Sequence, residues 1–284
     1  MKENYKKVEM SKFCVFIFCW GRPTFNKTYK TLRDGGYTGK IILLVDNLDT
    51  TKEEYINNFG YENVYVFSKY FASFESDPMN NFGGLESTLY VENSMFKIAK
   101  DLGYDYFCSM CDDYYYFGHR GIKGAKKTNN LDLVFEYYVE YLINSPIKSI
   151  AFSQGGDNFG GFNEYVLCKR KVMNSFICKT NTPFKFYGSM NDDVNMYVQN
   201  GIRGDVFLTT MFFQLDQMDT QSTGGGLENL YKQYGTYVKS FYTVMLSPSS
   251  VKINIMGLKG KRLHHSIVWE NTTPCIISEK YKKQ

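Results

Sequence analysis

The chain has 284 residues, 43% of them hydrophobic and 22% charged, with a formal net charge of +4. That length suits one large α/β domain and can bury a substantial core. No run of about 18 apolar residues occurs, which excludes an ordinary spanning helix. The basic N-terminus is followed only by the strand-length run FCVFIFC, which ends in Gly-Arg-Pro, so no signal peptide is expected.

In chain order, Phe13–Cys19 is a continuous apolar run bounded by Gly21 and Pro23, as expected of a strand buried on both faces. Thr24 is placed to cap a helix running through Tyr29 and Leu32 to the stop signal Gly35-Gly36. Residues 40–45 (KIILLV) predict a second buried strand closed by Asp46-Asn47. Thr50 or Thr51 can cap a short helix through Tyr55, and residues 64–67 a third strand. Strand and helix alternating in this way predict an open, mostly parallel sheet, whose ligands bind beyond the carboxyl ends of the strands. Residues 86–102 predict a helix with Leu89, Met95, Phe96 and Ala99 on its apolar face. Residues 106–110 predict a fourth strand that runs into Cys111-Asp112-Asp113. A helix over 131–143 and a strand over 148–152 follow, then a Gly-rich loop at 154–162, strand-like pieces at 165–167 and 207–214, and a helix over 192–201. The tail reads as a long β-like stretch at 237–246 and a basic one at 259–269. No repeat or linker appears, so a single domain is expected, with a nucleotide-binding half over about 10–120 and an acceptor half over about 121–284.

Seven cysteines (Cys14, Cys19, Cys108, Cys111, Cys168, Cys178 and Cys275) lie scattered, mostly in apolar runs, which indicates buried thiols in a reducing compartment, hence a cytoplasmic location. Cys108 and Cys111 form a CxxC, but no second pair completes a four-ligand zinc site. The 24 tyrosines and 23 phenylalanines must mostly be core, although such rings also suit stacking on sugars and bases. Lys123, Lys126 and Lys127, and again Lys259, Lys261 and Arg262, form basic clusters. Each reads most simply as solvated surface and is compatible with a polyanionic partner.

The sharpest local feature is Asp112-Asp113 at the end of an apolar strand. Paired carboxylates there repel unless a cation relieves them, and a divalent ion holding a diphosphate would do so. The bland reading is a turn or cap pair, and the parallel sheet upstream, with Asp46 ending its second strand, weighs against it. A second pair, Asp192-Asp193, lies in SMNDDVNMY. Acidic residues in a first helical turn favour the macrodipole; the alternative is a general base that deprotonates an acceptor hydroxyl. Adjacent His264 and His265 would face opposite ways in a strand, so at most one can point into a given site. A neutral imidazole is a reasonable metal ligand, although two adjacent histidines are more often ordinary surface or core residues. The glycine pairs and the triple Gly224-Gly225-Gly226 match neither GxGxxG nor a P-loop, and no Gly-x-Ser-x-Gly elbow occurs.

The order FCWGRP, KIILLVDN, DYFCSMCDDYYYF, GSMNDDVNMY and KRLHHSIVW, from about Phe13 to Tyr281, resembles GT-A glycosyltransferases. More narrowly it resembles the TET/JBP-associated glycosyltransferases of bacteriophage type, whose acceptors are hydroxymethylated or oxidised pyrimidines in DNA. It is also similar to a glycosyltransferase-like domain of a eukaryotic growth regulator, which keeps a protein acceptor open. The resemblance implies a GT-A-like sheet with a smaller antiparallel β portion towards the C-terminus. It implies a nucleotide-sugar donor, with UDP-glucose or UDP-N-acetylglucosamine as examples, and Mn²⁺ or Mg²⁺ as cofactor. Arg22, Asp46, Glu92, Asn93 and Asp112 would contact the nucleotide. Asp113 would bind the metal in a DXD-type motif, with His264 or His265 completing its shell. Asp193, or else Asp192, would be the catalytic base of an inverting transfer. Residues 153–161 and 221–226 would line the sugar or acceptor side. The partners implied are the donor and modified DNA, with no membrane and no obligate protein partner. The first acidic position of the motif is here Cys111, a soft thiol poorly suited to Mg²⁺ or Mn²⁺. That departure raises the alternative of a nucleotide-sugar-fold protein that binds without catalysis.

Overall fold

Seven strands running one way and two running against them make up the main sheet of the computed structural model, which describes residues 6–76, 84–121, 123–154, 175–218, 236–257 and 261–272. The first four in sheet order are β3 (Val64–Phe67), β2 (Lys40–Asp46), β1 (Phe13–Cys19) and β4 (Tyr106–Cys111), all parallel. Then come β8 (Phe176–Lys179), antiparallel to both neighbours, β7 (Ser149–Gln154) and β9 (Phe207–Gln217), parallel to each other. The far edge holds β5 (Tyr114–Gly121), which runs against β9, and the short β6 (Gly124–Lys127). The open, mostly parallel sheet is therefore present, and strands from both expected halves enter it.

The continuous apolar runs follow from burial on both faces. Along β1, Phe13, Val15, Ile17 and Cys19 join one core while Cys14, Phe16 and Phe18 join the other. This two-residue alternation divides the helices as well. Leu32 of α1 (Lys27–Asp34), Tyr55 of α2 (Lys52–Phe59) and Phe135 of α5 (Leu131–Ile143) pack on the first face. Ala72 of α3 (Lys69–Ser76), Met95 of α4 (Leu89–Asp101) and Met196 of α6 (Asp192–Ile202) pack on the second. Among the described residues most of the phenylalanines are core, and Phe135, Phe152, Phe213 and Tyr138 form a chain of ring contacts across the first face.

Two helix starts differ from expectation. Asn26, not Thr24, caps α1, its side-chain oxygen accepting the Tyr29 N–H at 2.8 Å. Thr51 occupies the cap position of α2 without a capping bond, because its hydroxyl donates to Asp49 Oδ1. A larger correction concerns residues 237–246, expected as β-like. They form α7 (Thr236–Leu246). Tyr237, Phe241 and Met245 recur every fourth residue on the exposed side, while Tyr242 and Leu246 pack on Met190. The β-branched and aromatic content favours a strand locally, but tertiary burial of one helical stripe overrides that preference. Helix α7 lies against the antiparallel pair β10 (Val251–Met256) and β11 (Arg262–Ile267), the small second sheet expected near the C-terminus. This unit reaches the main body through Val194 and Val198 of α6, which pack on Val251. The expected strand at 165–167, most of the loop at 154–162 and the stretch 221–226 lie outside the described residues. The five described cysteines, Cys14, Cys19, Cys108, Cys111 and Cys178, are free thiols, four of them buried. Among the described residues no helix is long and apolar enough to cross a membrane.

Gly201 near the end of α6 sits so close to the chain that a Cβ there would meet the Thr272 carbonyl oxygen at 2.1 Å. Helix propensity alone makes Gly201→Ala stabilising by about 1 kcal/mol. The clash with backbone should reverse the sign, to a destabilisation of roughly 1–3 kcal/mol. Thermal or urea unfolding of the variant checks this; a raised Tm would show that α6 is not pinned at this contact.

Candidate functional site

The carboxyl ends of β1, β2 and β4 converge on one cleft, and local hydrogen bonds hold each end in place. After β1 the chain turns at Gly21, where φ is +63°. The Gly21 N–H donates to Asp49 Oδ2 at 2.7 Å and the Arg22 N–H to the Tyr55 hydroxyl at 2.9 Å. So held, Arg22 donates from Nη2 to Asp112 Oδ1 at 2.6 Å. The Asp112-Asp113 turn is gripped from two sides. Thr28 in α1 donates its hydroxyl to the Cys111 carbonyl (2.6 Å), accepts the Tyr114 N–H (2.9 Å), and donates its own N–H to the Asp112 carbonyl (3.1 Å). At the end of β9, Gln217 donates to Asp113 Oδ1 at 2.9 Å and the Met218 N–H to the Asp113 carbonyl.

Asp112 is only 2% exposed, and its Oδ2 is buried with no hydrogen-bond partner. Burial raises its pKa, Arg22 opposes that, and Asp113 adds to it. Burial wins, and Asp112 is pushed up to about 7. Burial also raises Asp113. The neighbouring Cys111 thiol is raised well above its ordinary value by burial and then by the surrounding carboxylates, first Asp113 and Asp112, so it stays a neutral S–H at neutral pH.

At the end of β2, Asp46 accepts the Leu48 N–H at 2.9 Å and pairs with Lys69 Nζ at 3.0 Å. The same ammonium lies 4.6 Å from the centroid of the Trp20 ring. Both members of this pair are buried, so removing one alone would cost roughly 3–5 kcal/mol. Trp20, Arg22, Asp46, Lys69, Thr88 and Asp112 are among the residues lining the cleft between these strand ends, a cavity of about 290 Å³.

Thr88 connects the cleft to the second acidic pair, since its hydroxyl donates to Asp192 Oδ2. The Asp193 N–H donates to Asp192 Oδ1 at 3.0 Å. Asp192 and Asp193 open α6, with Asn191 before them in the left-handed region at φ 54°. Glu92, in the first turn of α4, is 3% exposed and turned to Asp192, away from the cleft. Asn93 is occupied otherwise, accepting the Phe186 N–H at 2.9 Å and donating to its carbonyl. On β11, His265 Nδ1 stands 3.3 Å from Asn191 Nδ2, at the start of α6. His264 Nδ1 lies 2.6 Å from the His265 carbonyl, and the two rings are 4.3 Å apart. The neighbouring imidazoles thus lie together, contrary to the opposite facing expected in a strand. Among the described residues, no three His, Cys, Asp or Glu side chains are grouped to hold a metal ion, so Asp113 and the two histidines are not gathered as a ready-made shell.

The structure therefore brings Arg22, Asp46 and Asp112 into one cleft, with Asp113 beside them and Asp192 linked through Thr88. Lys69, Thr88 and Gln217 belong to this arrangement although no motif marks them. Asp49 carried a signal, because Asp-Thr-Thr before a helix is a local side-chain turn.

A family model described as TET-Associated Glycosyltransferase matches residues 13–226. No curated protein matches the sequence. Among solved structures, glucosyl-3-phosphoglycerate synthase from Mycobacterium tuberculosis with Mg²⁺ and UDP is similar at 13% identity, over 90% of this chain and 87% of that one, with a TM-score of 0.47. The same enzyme with Mn²⁺ and UDP-glucose gives 11%, 90%, 86% and 0.45. A further mycobacterial protein gives 9%, 90%, 83% and 0.45.

An Asp that ionises near 7 when folded and near 3.9 when unfolded binds its proton more tightly in the folded state. Its stabilising contribution is complete below about pH 4 and is lost as pH rises through 7. In chelator-treated protein, Asp112→Asn should remove this part of the pH dependence. Thermal melts between pH 4 and 8 would show the wild type losing more stability than the variant; parallel curves would place the titration elsewhere.

Proposed function

The chain belongs to the TET-Associated Glycosyltransferase family, and from that premise we propose that this glycosyltransferase moves a sugar from a nucleotide-sugar donor to a hydroxymethylated pyrimidine base in DNA. The observation that carries the reading is the cleft at the ends of β1, β2 and β4, where Arg22 and Lys69 stand among buried carboxylates. Strands flanking a common neighbour lie roughly 10 Å apart. Asp46 and Asp112 end such a pair, a separation that suits a nucleoside laid across β1 with its diphosphate at Asp112.

In this reading Asp46, held by Lys69, receives the ribose or base, and Trp20 offers a ring face beside it. Arg22 is positioned to bind diphosphate oxygens while still screening Asp112. A divalent cation fits here: Asp112 has a buried oxygen without a partner, and burial disfavours the charge on both aspartates until a cation relieves it. Asp112 and Asp113 would hold Mn²⁺ or Mg²⁺, with donor diphosphate oxygens supplying further ligands. When bound, the ion would act as a Lewis acid towards the charge developing on the leaving diphosphate. Asp193 would take the proton from the acceptor hydroxyl as it attacks the anomeric carbon from the opposite face, inverting it.

A base inside duplex DNA must be reached through a groove or flipped out. Lys126 and Lys127 are exposed on β6, the edge strand beyond β5, and Lys261 and Arg262 are exposed at the start of β11. Lysines on an edge strand also deter unwanted pairing. Their proposed further role is salt-dependent contact with phosphates.

The test is nucleoside mass spectrometry after incubating the protein with hydroxymethylpyrimidine DNA, Mn²⁺ and a panel of nucleotide sugars. A sugar mass gain on the modified base is expected, reduced about 10²–10⁴-fold in Asp193→Ala. Mn²⁺-dependent donor hydrolysis with no gain on DNA would move the acceptor to protein. No turnover of any donor would leave a protein that binds without catalysis.

A further inference from the structure

Glu92 is a buried carboxyl group of the site to which no cation, metal position or backbone donor has been assigned. It is 3% exposed, on the first turn of α4. Its carboxyl group meets that of Asp192, and Oε2 receives no hydrogen bond from any ordinary donor. The charged or titratable groups acting on it are Asp192 and Asp193 on α6, while the Cys111 thiol on β4 also feels its charge.

Two carboxyl groups in contact and out of water cannot both ionise, so one proton is shared between them. The surroundings decide where it resides. Asp192 receives the Thr88 hydroxyl on Oδ2 and the Asp193 N–H on Oδ1, and it sits at the N-terminal, positive end of a helix. The two hydrogen bonds single out Asp192 as the carboxylate, since Glu92 also lies in the first turn of a helix. Glu92 has neither of them, so the proton belongs to Glu92. Burial, and then the neighbouring charges of Asp192 and Asp193, hold Glu92 well above the ordinary carboxylate range in the same sense.

We propose that Glu92 is a positioning residue: as a neutral acid it donates a hydrogen bond to Asp192, which anchors the start of α6 and so fixes Asp193 towards the acceptor. The inference rests on the reading of Asp193 as the base. It also divides the two aspartates, giving Asp192, with both oxygens engaged, a structural part in the site. Raising the pH until Glu92 ionises would put a third negative charge into the cluster and disturb α6.

Glu92→Gln preserves a donor to Asp192 and cannot ionise. It should keep kcat within about threefold and extend activity to higher pH than the wild type. Glu92→Ala should lower kcat tenfold or more with the donor KM unchanged. A folded Glu92→Gln protein as impaired as Glu92→Ala, or one with an unaltered alkaline limb, would overturn the proposal. Infrared difference spectra of wild type against Glu92→Gln at neutral pH give a second readout. The C=O stretch of a protonated carboxylic acid is expected, and its absence would overturn the proposal too. Because that signal needs no turnover, it remains decisive if the wild type transfers no sugar to DNA, an outcome that would count against the proposed function instead.

Discussion

Carboxylates held out of water at the ends of a parallel sheet are the constraint on which the rest of this structure depends. Asp46, Glu92, Asp112, Asp192 and Asp193 are each less than a tenth exposed. An ionised carboxylate in such surroundings is costly unless paired or hydrogen-bonded. Four of the five show distinct solutions: a buried lysine for Asp46, an arginine for Asp112, a hydroxyl and a backbone N–H for Asp192, and a retained proton for Glu92. These compensating groups come from α3, the β1–α1 turn, the segment before α4, and α6. The acid cluster therefore ties together turns and helix ends from several elements at one point.

The sheet makes that meeting possible. Parallel strands deliver their carboxyl ends to one edge, and alternating burial along β1 places helices on both faces, so turns from either layer can reach the same cleft. Thr28 shows how tightly the turn is specified. A single hydroxyl, together with its own N–H, satisfies three backbone groups around Asp112 and thereby fixes the acidic turn to the first turn of α1. The Asp112 oxygen left without a partner is the exception, and an incompletely satisfied buried polar atom is what a site awaiting a cationic ligand should contain.

Elements buried on both faces were the easiest to read. The runs over β1, β2 and β4 are almost wholly apolar because both faces of these strands are buried, and the stripe of α5 carries the helical period over its full length. Local pattern failed where environment decides. Residues 236–246 are rich in β-branched and aromatic side chains, yet they form a helix because Tyr242, Thr243 and Ser240 bury one side against α6 and β11. Strand β5 has an irregular burial pattern, because a bulge between Tyr114 and Tyr116 shifts its register on β9. The four-residue β8 is an inserted antiparallel strand between two forward ones, and no local signal specifies that position.

The sequence by itself determined the alternation of strands and helices, the acidic pairs at a strand end and a helix start, and the family to which their order belongs. It could do so because strand burial and cap chemistry are local, and their residue types stand next to one another in the chain. Only the tertiary structure decided which partner each acid has. Lys69 reaches Asp46 across 23 residues, Arg22 reaches Asp112 across 90, and Thr88 reaches Asp192 across 104. It also turned Glu92 towards Asp192 and set the paired histidines at the start of α6. Charge compensation in a buried site is a matter of distance in space, and separation along the chain carries no record of it.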